Sequence, residues 1–374
     1  MAAHDDAPDG LVPVVRDSMW LGIVTGLLGA ATVFAVPLIG RVCGVPQGTL
    51  SALGEFPLLL ATSTLVAAIG NSATSTLVGL GRSRLVMRAG LTGTAASVLL
   101  SMTLVNGVGP LSRLGLAGAG RAMLVSSLIS ATVAHWGLRR STVLAGRRLT
   151  LDRPSARAVL RLASVGLPLG ATVLIKFAVL GVLSVAAARV GTASAAAHSI
   201  AVSLVNFMFT AAVAIGQATI PLITPYARAR DVHGLRAGVR AAVVTALCTV
   251  LLLGCVVTVL REPVLSLFSR DPMAQHQVLH LLPLLLLVVV TDALQAVFGF
   301  GLIMMRNTVP SLAVFAVCYG LLALAAVPVS TLGGLTALWL TLACANGLLV
   351  LGQGAFFYRR SGSLPADEAT LGRA

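Results

Sequence analysis

The single lysine of this 374-residue chain, Lys176, stands in the middle of a long apolar run, and one carboxylate, Asp292, stands in the middle of another. A charge at mid-bilayer costs about 2.5–3.5 kcal/mol on insertion scales, so apolar spans discard charges unless something needs them. Lys176 lies more than about ten residues, or ~18 Å, from either end of its run. A lysine stem of about 6 Å cannot snorkel to the interface from there, so the ammonium should face a protein interior or a wet cavity. Asp292 sits about a dozen residues from each end of its own run. Two chemistries fit the pair. Lys176 and Asp292 form an ion pair lining a central cavity, broken and remade as substrate or proton binds; such a pair would titrate jointly. Alternatively each acts separately, Asp292 as a proton or cation site and Lys176 as an anchor for an anionic group.

Neutral polar residues share this depth. Gln295 follows Asp292 by three positions and so lies on the same helix face. His198 and Asn206 occupy the next run after that of Lys176, with Gln217 near its end; Asn71, Asn106 and Asn346 lie in others. Ordinary interhelical hydrogen bonding, worth about 0.6 kcal/mol each, competes with a functional role for all of them. Enzyme signatures are missing: no nucleophile elbow, zinc-protease motif, phosphate-binding loop or dinucleotide fingerprint occurs. His276 and His280 are spaced i, i+4 without a third ligand. The five cysteines, Cys43, Cys248, Cys255, Cys318 and Cys344, lack CxxC spacing and read as small apolar core residues. We therefore expect no enzyme, metal or cofactor, and a transporter driven by an ion gradient.

Hydrophobic residues make up 57% of the chain and charged residues 10%, against about 25% charged in soluble domains. Continuous apolar runs of about 20 residues select membrane helices over a barrel. Ten spans are expected at roughly 18–40, 57–80, 86–108, 115–137, 161–188, 192–223, 238–260, 279–301, 308–329 and 334–357. Pro168 should kink the fifth. The net charge of +14 is almost all arginine in short loops, which fits the positive-inside rule and not nucleic acid. Arg82, Arg84, Arg88, then Arg139, Arg140, Arg147, Arg148, Arg153 and Arg157, then Arg228, Arg230 and Arg236, then Arg306, then Arg359 and Arg360 mark cytoplasmic loops; the opposite loops hold only Arg41, Arg113, Arg189, Arg261 and Arg270. Both termini are then cytoplasmic. The expected layout is an N-terminal segment 1–17, N-lobe helices 18–137, a cytoplasmic linker 138–160, C-lobe helices 161–357 and a tail 358–374. The segments 114–119 and 332–337 resemble each other, which suggests an internal repeat.

Gly166-Leu167-Pro168-Leu169-Gly170, Ala195-Ala196-Ala197-His198-Ser199-Ile200, Leu267-Phe268-Ser269-Arg270-Asp271-Pro272, Asp292-Ala293-Leu294-Gln295, and Gly333, Leu338 and Trp339 occur in this order. Together they resemble the C-terminal six-helix lobe of the multidrug and toxic compound extrusion (MATE) family, in its NorM-like branch. Gly115 to Ala119 fits the end of the family's N-terminal lobe. The resemblance implies an all-α polytopic protein of the bacterial cytoplasmic membrane, with an incomplete four-helix N-lobe and a complete six-helix C-lobe. The first two of the family's twelve spans have no counterpart here. It further implies an antiporter, coupled to protons rather than sodium, that exports small organic compounds by alternating access. Asp292 matches a family carboxylate used in coupling or drug binding. Lys176 stands where NorM-like members carry a glutamate; its positive charge stands in for a bound cation and would favour anionic or zwitterionic substrates. A flippase for lipid-linked or polymeric substrates and a non-transporting fragment are the alternative readings.

Overall fold

In a computed structural model the described residues are 8–42, 47–107, 114–140, 155–269, 271–305 and 308–362, and they are almost entirely helical. The helices are α1 (Pro8–Phe34), α2 (Val36–Val42), α3 (Gln47–Ser51), α4 (Phe56–Gly79), α5 (Ser83–Asn106), α6 (Gly115–Arg139), α7 (Ala156–Val190), α8 (Thr192–Arg228), α9 (Val232–Val259), α10 (Arg261–Phe268), α11 (Pro272–Met304) and α12 (Thr308–Gly362). Nine stretches among the described residues are long and apolar enough to cross a membrane. The last, Val309–Gly362, has 54 residues, about 80 Å of helix against ~30 Å of hydrocarbon. It is interrupted at Gly334, whose φ of 63° and ψ of −154° are non-helical. A β-carbon disfavours that conformation, so the glycine marks where one crossing ends and the next begins. The ninth and tenth expected spans meet there. Gly115, at the start of α6, also has a left-handed φ of 52°.

Side chains such as Leu28, Leu99, Leu174, Leu252 and Leu324 are more than half exposed, as expected where lipid is the solvent. Cys248, Cys255 and Cys344 are likewise exposed and Cys318 is half-buried. The three exposed thiols are apolar surface, not core, because a thiol costs little against hydrocarbon, whereas Cys318 packs against the second unit's core; Cys43 lies outside the described residues. So do Arg113, Arg147, Arg148, Arg153, Arg270 and Arg306 and the side chain of Asn106.

The chain divides into two compact units, Met1–Ser164 and Val165–Ala374. In the first, α6 packs on α4 and α5, and α1 on α4. The contact depends on a stripe of small residues: Gly118, Ala122, Ser126 and Ala134 recur on the buried face of α6. Gly70 lies against Ala131 and Gly93 against Ser130. Such residues let helix axes approach where lipid supplies no hydrophobic drive. A β-carbon on Gly118 would meet the backbone carbonyl oxygen of Leu104 at 2.5 Å, and backbone cannot swing aside. Gly118→Ala should therefore lower stability by about 1–3 kcal/mol, read as a lower unfolding midpoint in detergent, whereas Gly90→Ala, with nothing within 4 Å, should leave it unchanged.

A second acid is buried in the first unit. In the structure α1 already runs from Pro8, and Asp17 is 4% exposed. Its Oδ1 lies 3.9 Å from Arg16 Nε.

The second unit is built on α11, which packs on α8, α9 and α12. Its buried face runs through Leu281, Leu285, Val288, Asp292 and Ala296 and meets Ala201, Leu204, Met208 and Ala212 of α8. The α7 residues Val179, Leu183, Ala186 and Ala187 join the same core. α7 runs without interruption through Pro168.

Candidate functional site

Lys176 reaches Asp292 across the second unit: Nζ donates to Oδ2 at 2.8 Å. Both side chains are buried, with 9% and 3% of their surface exposed, so both charges are largely shielded from bulk water. Removing two ions from water costs several kcal/mol each unless geometry and further hydrogen bonds compensate. Here they do so in part. The Nζ atom also sits 3.6 Å from the centroid of the Phe209 ring, a cation–π contact from α8. The second carboxylate oxygen, Oδ1, accepts from Asn346 Nδ2 at 3.2 Å. Asn346 is held in turn by Tyr319, whose hydroxyl donates to Asn346 Oδ1 at 2.8 Å. Tyr319 lies before and Asn346 after the Gly334 break, so one acid ties together α7, α11 and both parts of α12.

A small void of about 10 Å³ adjoins this network, lined by Lys176, Asn206, Asp292, Tyr319, Trp339 and Asn346. It is about the size of one water probe and has several polar partners for a water molecule. On its other side Lys176 lines a larger cavity of about 310 Å³ with Phe177, Phe209, Phe300, Gln217 and Gln295. That volume falls in the range of sites for small organic ligands. Thr172, Val173 and Lys176 lie one turn or less apart and bring one face of α7 to this cavity; Gln295 and Gly299 do the same for α11. Gln295 Nε2 donates to Gln353 Oε1 at 3.3 Å, and Gln353 Nε2 donates to Ser311 Oγ at 2.9 Å. Lys176 thus separates a mostly aromatic and aliphatic cavity from a closed, hydrogen-bonded acid.

The structure brings Lys176, Asp292 and Asn206 to one void and puts Gln295 in the adjoining cavity. It does not bring His198 to either space. His198 is 1% exposed and stacks edge-on to Trp339 at 5.8 Å between centroids. Both its ring nitrogens and the Trp339 indole nitrogen lack hydrogen-bond partners among the described residues. Tyr319 and Gln353 are site residues that sequence reasoning missed. Their signal is weak: three tyrosines in the chain, one at mid-span, and a glutamine seven positions after Asn346 on the same helix face. His276 and His280 lie exposed, with Nε2 atoms 3.3 Å apart. Among the described residues no group of three metal-ligating side chains occurs.

Residues 168–329, which hold Lys176, Asp292 and Gln295, match the MatE family model. The chain is 26% identical over 319 residues to the probable multidrug resistance protein NorM of Aromatoleum aromaticum, covering 85% of this chain and 69% of that protein. To the NorM of Pseudomonas putida it is 24% identical over 92% of this chain and 78% of the relative. The segment that holds the ion pair and the cavity thus resembles the MatE family. The fold agrees: a eukaryotic MATE transporter superposes with a TM-score of 0.80 at 16% identity, covering 95% of this chain and 81% of the other. A MOP-superfamily transporter from Pyrococcus furiosus superposes with a TM-score of 0.82 at 18% identity, covering 96% and 80%. The chain described here is accordingly a multi-pass membrane protein with the fold of these transporters.

Proposed function

We propose that the protein exports small organic cations in exchange for protons by alternating access, with Lys176 carrying the exchanged proton. The observation that supports this reading is the 2.8 Å ion pair at the wall of a ligand-sized cavity. The names of the NorM relatives support multidrug export.

Antiport needs the two transported species to exclude each other. Consider an anionic substrate on Lys176: it would free Asp292 to take a proton, so proton and anion would favour one another. That sign drives co-transport, not exchange, and it argues against the anion preference that the lysine charge alone suggests. A cationic guest behaves oppositely. It competes with the Lys176 ammonium for Asp292 and leaves that ammonium unpaired at membrane depth, a costly state relieved when Lys176 loses its proton through the cavity to bulk water. On the other side of the membrane a proton returns to Lys176, the pair re-forms and the guest leaves. Net charge in the site is the same in both states, so one organic cation exchanges for one proton electroneutrally.

Sodium is disfavoured by the same geometry. Hard cations take oxygen ligands, whereas the Asp292 carboxylate faces an ammonium and an amide N–H.

Proteoliposomes with an acidic lumen should accumulate ethidium, by up to about a hundredfold for a gradient of about two pH units, since each pH unit is worth about 1.4 kcal/mol. Nigericin, which collapses the pH gradient, should abolish uptake. A valinomycin-imposed potential alone should not drive it. Uptake driven by the potential or by a sodium gradient contradicts the proposal.

A further inference from the structure

A second feature of the first unit is used by none of the chemistry above. At the end of the helices where α4 closes and α5 opens, a cleft of about 600 Å³ is lined by Arg82, Arg84, Arg88, Arg140 and Trp136, with Gly81, Ser83, Leu85 and Gly137. Among the described residues no carboxylate lines it. Arg84, Arg88 and Arg140 are exposed, and the Arg140 guanidinium lies 4.0 Å from the centroid of the Trp136 ring. Trp136 has a second neighbour. It also lines a groove of about 470 Å³ with Val66, Ile69, Leu128, Ala131 and Thr132, which ends at His135 and Arg139. From Leu128 to Arg139 this groove follows α6 for about 16 Å. One half-exposed tryptophan thus joins an apolar channel along the membrane-spanning part of α6 to a cluster of arginines at its end.

We propose that this composite is a binding site for an anionic phospholipid, with one acyl chain in the groove and the phosphate held by Arg84, Arg88 and Arg140. Charge complementarity selects an anion, because arginine pairs with phosphate through parallel N–H donors. The contiguous apolar groove selects a lipid over free phosphate, since an inorganic anion leaves the groove unused. Tryptophan at the junction matches the interfacial depth of a headgroup. The loop charges place this end of the bundle at the cytoplasmic leaflet, whose anionic lipids attract arginine clusters. The site is independent of the exchange chemistry at Lys176.

The full chain, purified in a neutral detergent, should retain dioleoylphosphatidylglycerol in native mass spectrometry about tenfold or more in preference to dioleoylphosphatidylcholine. Arg84→Gln/Arg88→Gln/Arg140→Gln should lose that preference. Because all three arginines are exposed, the variant should keep its unfolding midpoint; should it fail to fold, the comparison of the two lipids on the unaltered protein still decides. Ala131→Trp, which fills the groove, should weaken binding of the dioleoyl lipid but not of its dihexanoyl analogue. Equal retention of both lipids overturns the proposal. So does full displacement of the anionic lipid by millimolar inorganic phosphate, which would mark a free-anion site. Loss of lipid on self-association would assign the groove to a second copy of this chain and overturn it as well.

Discussion

Asp292→Asn should abolish proton-driven exchange and also destabilise the second unit. The asparagine still fits beside Asn346, but Lys176 loses its only carboxylate partner among the described residues. Removing one member of a buried pair typically costs about 3–5 kcal/mol, because the other charge is left uncompensated. Transport and stability separate in the double variant Lys176→Met/Asp292→Leu. Replacing both ions by apolar groups of similar volume is often neutral or stabilising, so its unfolding midpoint should return close to that of the unaltered protein. Asn346 keeps its bond from Tyr319, which limits the polar loss. The double variant should nevertheless transport nothing. Unfolding midpoints in detergent and ethidium uptake in proteoliposomes read the two effects; exchange that persists in Asp292→Asn would remove the acid from the mechanism.

Lys176→Arg should fold and fail. A guanidinium keeps the charge, can pair with Asp292 and can stack on Phe209, but it does not release its proton under any physiological condition. If Lys176 served only as a fixed positive charge, arginine would substitute with modest loss. If its proton is the one exchanged, arginine locks the pair and uptake falls by about a hundredfold or more at every pH. Lys176→Met makes the complementary case. Asp292 then has only the Asn346 amide against it, so organic cations should bind tightly and exchange with one another, yet a pH gradient should no longer concentrate them. Near-normal gradient-driven uptake by Lys176→Arg would contradict the proton-carrier role.

The helical membrane architecture was legible because apolar runs and their polar breaks are local properties of the chain. Lys176 and Asp292 stood out for the same reason: a charge at membrane depth is visible against its own neighbours. Their pairing was open, since a distance across 116 positions leaves no trace in spacing. Gln353 and Tyr319 escaped because each looks like an ordinary interfacial or packing residue until α12 breaks at Gly334 and folds one part against the other. His198 is a case that only packing could place. A histidine in an apolar run invites a coupling role, but packing places it against Trp339, away from both spaces. The arginine cleft was legible only as loop charge; that those arginines share a hollow with Trp136 is a property of the fold.

Proton release on binding tests the central claim most directly. When ethidium is added to the purified protein in weakly buffered detergent solution near neutral pH, about one proton should appear per cation bound, and Lys176→Arg should release none. Ethidium binding that saturates in the unaltered protein without releasing protons would contradict exchange at the Lys176–Asp292 pair.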